Sequence, residues 1–425
     1  MKDKGERNTS PVAIIGLLLT SVTSGYLIGV QNIVFFSDQW KQEFGDPTGV
    51  DLNLLATAVG LGSLGGLALE ILATSKGQWR NFLVGSVFVL IGALKQGLSR
   101  DWWGFFKTRL ACGFGNAIAC NGALQLLDEA TDGSQKELLT ILYGGLWSLG
   151  MVLGNAVTHE SADTWSWRIP SCYQAMIPAL QLLTYFFMPK RWFLGVRERD
   201  PASLHPKDIP PEHIKHEANV LKSGLWHLVL AVFLPVICIH LGNGIVLVTI
   251  GEVLEFTYGI TTIPQQIFIN GILFLNSLVA TLHKHFYNPS QIKLTLLSIT
   301  TTSILIIGTI YILYPASIAV ALLSLLAAGH IVLMAIPTTI LTNRLPASVS
   351  PHITNVLSIS TNLCLLYNGF INPWSMPRAL WTKYSNSALI FFLHLVLIAL
   401  FVLLHLPSRT LRSFPAINIR PTTKS

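Results

Sequence analysis

The residues of this chain best placed to do chemistry are amides and a few charges set inside long apolar stretches. Gln31, Asn116, Asn243, Asn276 and Asn362 interrupt segments otherwise built from Leu, Ile, Val, Ala and Gly. An unpaired amide or charge in an apolar interior costs free energy, so such residues mark polar pathways or interhelical hydrogen bonds. A primary amide donates and accepts at once, which suits an uncharged, polyhydroxylated solute. The same chemistry ties one helix to another, and each amide taken singly fits either role.

Soluble-type catalysis finds no support. No Ser-His-Asp order, His-Glu-x-x-His pair, phosphate-binding loop or dinucleotide fingerprint stands in a usable context, and Gly113-Phe114-Gly115 lies within an apolar stretch where it cannot cradle phosphate. His240, His330 and His394 have no acidic neighbour, and the three carboxylates of the apolar blocks, Glu70, Glu252 and Glu255, fall near block ends. Proton relays within membranes ordinarily use a buried acid, so coupled transport lacks its usual residue. An intramembrane enzyme would need a paired acid and base or a set of metal ligands, and neither is present, so no cofactor or metal is expected. Among the charges, Lys107 snorkels toward the interface, while Arg109 stands at the head of the fourth block. Glu129 follows the end of that block, about twenty residues on, so a link between them has to pass through Lys136 or another helix.

The elements that must position these residues are twelve apolar blocks, at 12–36, 53–73, 81–99, 104–126, 138–157, 169–188, 224–249, 263–283, 294–313, 316–341, 353–373 and 385–406. Most approach the roughly 20 residues needed to cross about 30 Å of hydrocarbon. Backbone polar groups in lipid must be satisfied internally, so the blocks are expected to be helices. With 51% hydrophobic and 12% charged residues, a chain of 425 residues has too little charge to keep a soluble surface in water. Of its 28 Lys and Arg residues, 20 fall in one alternate set of gaps, six in the other and two in the fourth block. Basic residues are retained on the cytosolic side during insertion, which puts both tails there. The net charge of +7 is spread through these gaps rather than gathered in a stripe, so it reads as topology signal and lipid contact, with no nucleic-acid partner. The five cysteines lie in apolar blocks without paired spacing, which argues against disulfides and zinc. The first block lacks a small-residue cleavage site and is taken as a retained helix. Asn8-Thr9-Ser10 is a chance glycosylation match on the cytosolic side.

One long polar gap, rich in turn formers, divides the chain. The expected organisation is a tail at 1–11, a six-helix bundle at 12–194, a cytosolic linker at 195–223, a second six-helix bundle at 224–406 and a tail at 407–425. Small residues at Gly62/Gly66 and Gly150/Gly154 have the spacing that lets membrane helices touch backbone to backbone.

Spaced segments in both halves then carry a resemblance. Trp167-Arg168-Ile169-Pro170, Gln174 and Pro189-Lys190-Arg191-Trp192-Phe193-Leu194 resemble the segments that close the first half of sugar porters in the major facilitator superfamily. Gly242-Asn243-Gly244, Asn270-Gly271-Ile272-Leu273, Thr361-Asn362-Leu363, Asn372-Pro373 and Pro407-Ser408-Arg409-Thr410-Leu411 are similar to the fungal lactose- and hexose-permease branch. The resemblance implies an all-α membrane protein of two pseudo-symmetric six-helix bundles with a solute site between them near the midplane.

The departures are systematic. The family's Gly-Tyr-Asp in the first helix is Gly25-Tyr26-Leu27, which removes the acid implied in proton coupling and the partner of the arginine matched by Arg109. The Asp-Arg-x-Gly-Arg-Arg loop is reduced to Thr74-Ser75-Lys76-Gly77-Gln78-Trp79, and its second copy to Asn288-Pro289-Ser290-Gln291-Ile292-Lys293. Glu129 keeps the acid after the fourth helix and the Arg-Gly that follows it in the family is Lys136-Glu137, while in the second half the matching Glu and Arg fall at Asn343 and Ser350. Sugar-contacting positions become Gly144, Ile239, Val248 and Thr249. Three readings follow: a facilitator of altered specificity, a decayed transporter, or a sensor-like or scaffold relative. The leading one is a monomeric transporter in the plasma membrane, in contact with lipid, that moves a small neutral organic solute with little or no proton coupling. Gln31, Asn116, Asn243, Asn276, Thr361 and Asn362 are its expected solute contacts, with Arg109, Glu129, Lys136 and Arg168 as a structural charge network.

Overall fold

The computed structural model describes residues 10–34, 37–47, 50–72, 77–131, 133–160 and 167–188, with short helical stretches between 270 and 286 and between 359 and 366. Both tails, the 195–223 linker, Asn243, Asn276, Thr361 and the three apolar-block histidines lie outside the described residues. Among the described residues every regular element is a helix: α1 (Pro11–Val34), α2 (Asp38–Phe44), α3 (Val50–Leu72), α4 (Gln78–Gly97), α5 (Trp102–Ala130), α6 (Gly133–Glu160), α7 (Arg168–Tyr173) and α8 (Met176–Leu183), which ends in a 3-10 turn at Thr184–Phe187.

Local chemistry sets the helix ends. Pro11 opens α1 at the position where its missing N–H costs least. Asp101 caps α5 by accepting from the Gly104 N–H at 2.6 Å, and α2 closes on Gly45, whose φ of 77° directs its N–H to the Lys41 carbonyl. The sixth apolar block is broken into α7 and α8. Pro178 has no N–H to offer the Gln174 carbonyl, and the chain tightens there, with the Ala175 N–H bonded to the Cys172 carbonyl at 2.9 Å.

Helices α1 and α6 pack together, and α5 packs against both α3 and α4. The α1–α6 approach is that of backbone on backbone: a Cβ added to Gly25 would lie 1.9 Å from the Trp147 carbonyl oxygen, and one added to Gly150 would lie 2.1 Å from that of Val22. On α4 the small and polar residues Gly85, Ser86, Gly92, Ala93 and Gln96 are buried, while Val84, Val87, Phe88, Ile91 and Leu94 are exposed. Beside the buried Phe82 and Val89, the inward face is made mainly of small residues and the outward face of large apolar ones, the arrangement of a helix facing lipid rather than water. At the end carrying Val34, Trp40, Phe105 and Trp167 form a buried aromatic cluster with Phe44 packed on it. Among the described residues, the later stretches touch this first half through Ser277 and Leu366. Ser277 donates to the Ile141 carbonyl at 3.3 Å, and the side chain of Leu366 lies against Gly60.

Candidate functional site

A polar seam runs between α1 and α5. On α1, Thr20, Ser24 and Gln31 recur on one helical face, and on α5 Arg109, Asn116 and Cys120 do the same. Arg109 is 0% exposed. Its guanidinium donates to the Gln31 side-chain oxygen and, at 3.4 Å, to the Leu27 carbonyl, and its Nε finds no partner among the described residues. The Gln31 amide nitrogen donates in turn to the Ala56 carbonyl of α3 at 2.7 Å. One amide therefore ties α1, α3 and α5 at a single buried charge. Further along, Asn116 donates to Ser24 Oγ at 3.0 Å. The Cys120 thiol reaches the Thr20 carbonyl at 3.8 Å, and Thr20 shares a 2.9 Å hydrogen bond with the Tyr143 hydroxyl of α6.

Of the expected solute contacts, Gln31 and Asn116 are thus brought to the same helix pair, each with hydrogen bonds inside the first half. Asn362 is half-buried on one of the later helical stretches. Gly144, on α6, is exposed, and a Cβ there would meet nothing within 4 Å.

The expected charge network resolves into three separate sets. Lys136 pairs with Asp128, one residue before Glu129, which is exposed. Arg168 lies at the other end, where it pairs with Glu43 of α2, donates to the carbonyls of Gly97 at 2.8 Å and Ser99 at 3.2 Å, and stacks 4.3 Å over the Trp167 ring. Arg109 bonds to neither of them. Sequence reasoning missed Glu43 and Asp128 because both sit in polar stretches flanking the apolar blocks. It placed Glu70 near a block end, whereas the structure buries it to 8% exposure between amides of α4 and α5. Among the described residues no group of three His, Cys, Asp or Glu side chains is gathered as a metal site would require.

Residues 10–366 match the model of the Major Facilitator Superfamily. The chain belongs to that family. Its membership makes it a multi-pass membrane protein with the major facilitator fold. No curated protein sequence matches it. Solved structures of the family share its architecture. One is the proton:xylose symporter XylE bound to 6-bromo-6-deoxy-D-glucose, 17% identical with a TM-score of 0.66, over 93% of this chain and 96% of that one. A D-xylose-proton symporter is 18% identical at a TM-score of 0.63, over 92% and 97% of the two chains. XylE from E. coli in a partially occluded inward-open conformation is 16% identical at 0.59, over 93% and 99%. At these identities the likeness establishes the fold and nothing finer.

Proposed function

We propose that this superfamily member is a sugar-porter-type transporter that carries a small neutral organic solute by alternating access, with no proton loaded on its first spanning helix. The observation that carries this reading is the Arg109–Gln31 pair. The family resemblance puts an acid opposite that arginine, yet here Leu27 stands at its place and an amide one turn further along α1 receives the guanidinium. A primary amide does not titrate in the physiological range, so the pair keeps a single charge state through the cycle. Gln31 thereby serves the buried charge, and solute selection falls to Asn116 and to Asn243, Asn276, Thr361 and Asn362 of the second half.

The halves 12–194 and 224–406 rock about a cavity near the midplane, with both tails cytosolic, a placement that the 20-to-6 distribution of basic residues supports. The contacts of Ser277 on α6 and Leu366 on α3 support such an interface between halves. Apolar or small residues at Gly144, Ile239 and Val248 leave sugar hydroxyls unmatched, at about 1–3 kcal/mol each, which favours a solute less polar than a hexose. The protein works as a monomer in the plasma membrane, in contact with lipid, and without a cofactor.

Counterflow in reconstituted vesicles, run over a panel of sugars and lipophilic metabolites, tests the reading. Saturable flux is expected for at least one compound, lost on changing Asn243 and Asn362 to Ala, and an imposed pH gradient is expected to drive no accumulation of that compound above equilibrium. Accumulation of solute against its own gradient that needs the pH gradient and collapses with an uncoupler would refute the absence of coupling. No saturable flux across the whole panel would return the protein to a sensor or structural role.

A further inference from the structure

The mechanism above makes no use of Glu70, and its surroundings are built rather than incidental. A Cβ on Gly62 would lie 2.0 Å from the Leu110 carbonyl oxygen, and one on Gly66 would lie 2.6 Å from that of Phe114, so only glycine permits this approach of α3 to α5. Glu70 is the next residue on the same face, four further on. The close packing therefore drives its carboxylate into α5, where Asn121 donates to Oε2 at 2.8 Å. From the other side Gly122 lets the start of α4 lie across the same turn, its added Cβ falling 2.7 Å from the Gln78 carbonyl oxygen and 3.2 Å from the Asn81 Cβ. Asn81 then donates to Glu70 Oε1 at 3.3 Å and, more weakly, to the Gln78 side-chain oxygen at 3.5 Å.

Both donors to this carboxylate are neutral. Of the charged groups on the packed elements, Arg80 is exposed with its guanidinium 5.4 Å from the Trp79 ring centroid, Arg109 is engaged by Gln31, and Asp128, two turns beyond Asn121, is matched by Lys136. Among the described residues no cation pairs with Glu70, and Lys76 lies outside them. A buried carboxylate without a cation is a place where a proton can be exchanged for charge.

We propose that Glu70 is a proton-binding switch, loaded from the end of the bundle that carries Pro11, which the charge pattern assigns to the cytosol. Ionised, the carboxylate accepts from both amides and ties α3 to α4 and to α5. Protonated, one oxygen becomes a hydroxyl and a poorer acceptor. The longer bond, to Asn81, is then given up while Asn121 is kept, and the start of α4 is released from α3. Glu70 is enclosed by three helices of a single half and does not change sides, so its proton sets the rate of solute movement without driving accumulation. This last consequence rests on the transport reading, whereas the proton site does not.

Infrared difference spectroscopy of the purified full-length protein across about pH 4 to about pH 9 tests the site directly. A carboxylic C=O stretching band that forms on acidification and is lost in Glu70→Gln is expected. Counterflow with equal pH on both sides tests the consequence: wild type changes rate with pH, Glu70→Gln loses that dependence, and Asn81→Ala keeps the band while holding the acid-form rate at every pH. An unchanged band in Glu70→Gln overturns the proposal. If Glu70→Gln does not fold, an Asn81→Ala protein with the pH–rate profile of wild type overturns it instead. A Glu70-dependent band in a protein that moves no solute would sink the transport reading and leave the proton site standing.

Discussion

Replacing Gln31 by Ala should cost this protein more than any other single amide change in the first half. The substitution removes the acceptor of the Arg109 guanidinium and the donor to the Ala56 carbonyl. A hydrogen bond to a charged group contributes about 1.5–3 kcal/mol and a neutral one about 1. Arg109 is then left fully buried with a single 3.4 Å bond to Leu27 among the described residues, a condition close to a broken buried pair, so a loss of about 3–5 kcal/mol is expected. With about 2.1 cal/mol/K of unfolding entropy per residue, spread over 425 residues, that loss lowers Tm by about 3–6 °C. Gln31→Glu supplies a charged acceptor at the same place and should recover most of the difference. The assay is thermal unfolding of purified protein in one detergent, followed by intrinsic Trp fluorescence. A Gln31→Ala protein that melts within about 1 °C of wild type would show that Arg109 does not depend on this amide, and the proton-free account of the pair would go with it.

The remaining predictions follow from the packing. Gly62→Ala places a methyl 2.0 Å from the Leu110 carbonyl oxygen and should destabilise by about 1–3 kcal/mol, whereas at Gly65 the nearest atom is 3.8 Å away and Ala should be tolerated; paired melting curves separate the two. Arg168→Ala removes the Glu43 pair, two carbonyl contacts and the stack on Trp167, so amide hydrogen exchange in 38–44 should speed up markedly while exchange in the centre of α5 stays as in wild type.

What the sequence determined by itself was the membrane, the helices and their approximate ends. The block at 53–73 is realised as Val50–Leu72 and the block at 81–99 as Gln78–Gly97, because the need to satisfy every backbone polar group in hydrocarbon acts locally, over about twenty residues at a time. The same local reading overlooked α2, whose Asp38–Phe44 sequence is polar and only seven residues long, and it drew the sixth block as one helix where Pro178 interrupts it. Tertiary structure alone decided the partners. As an amide in an apolar block Gln31 announces polarity without direction, and only the rotation of α1 against α5 aims it at a guanidinium 78 positions away. The same holds for Arg168 and Glu43, 125 positions apart, and for Glu70, which lies near the end of an apolar block yet is buried because two glycines on its own face bring α3 against α5. Composition records how much polarity a membrane helix carries. Where that polarity points is set by how closely, and at what rotation, the helices meet.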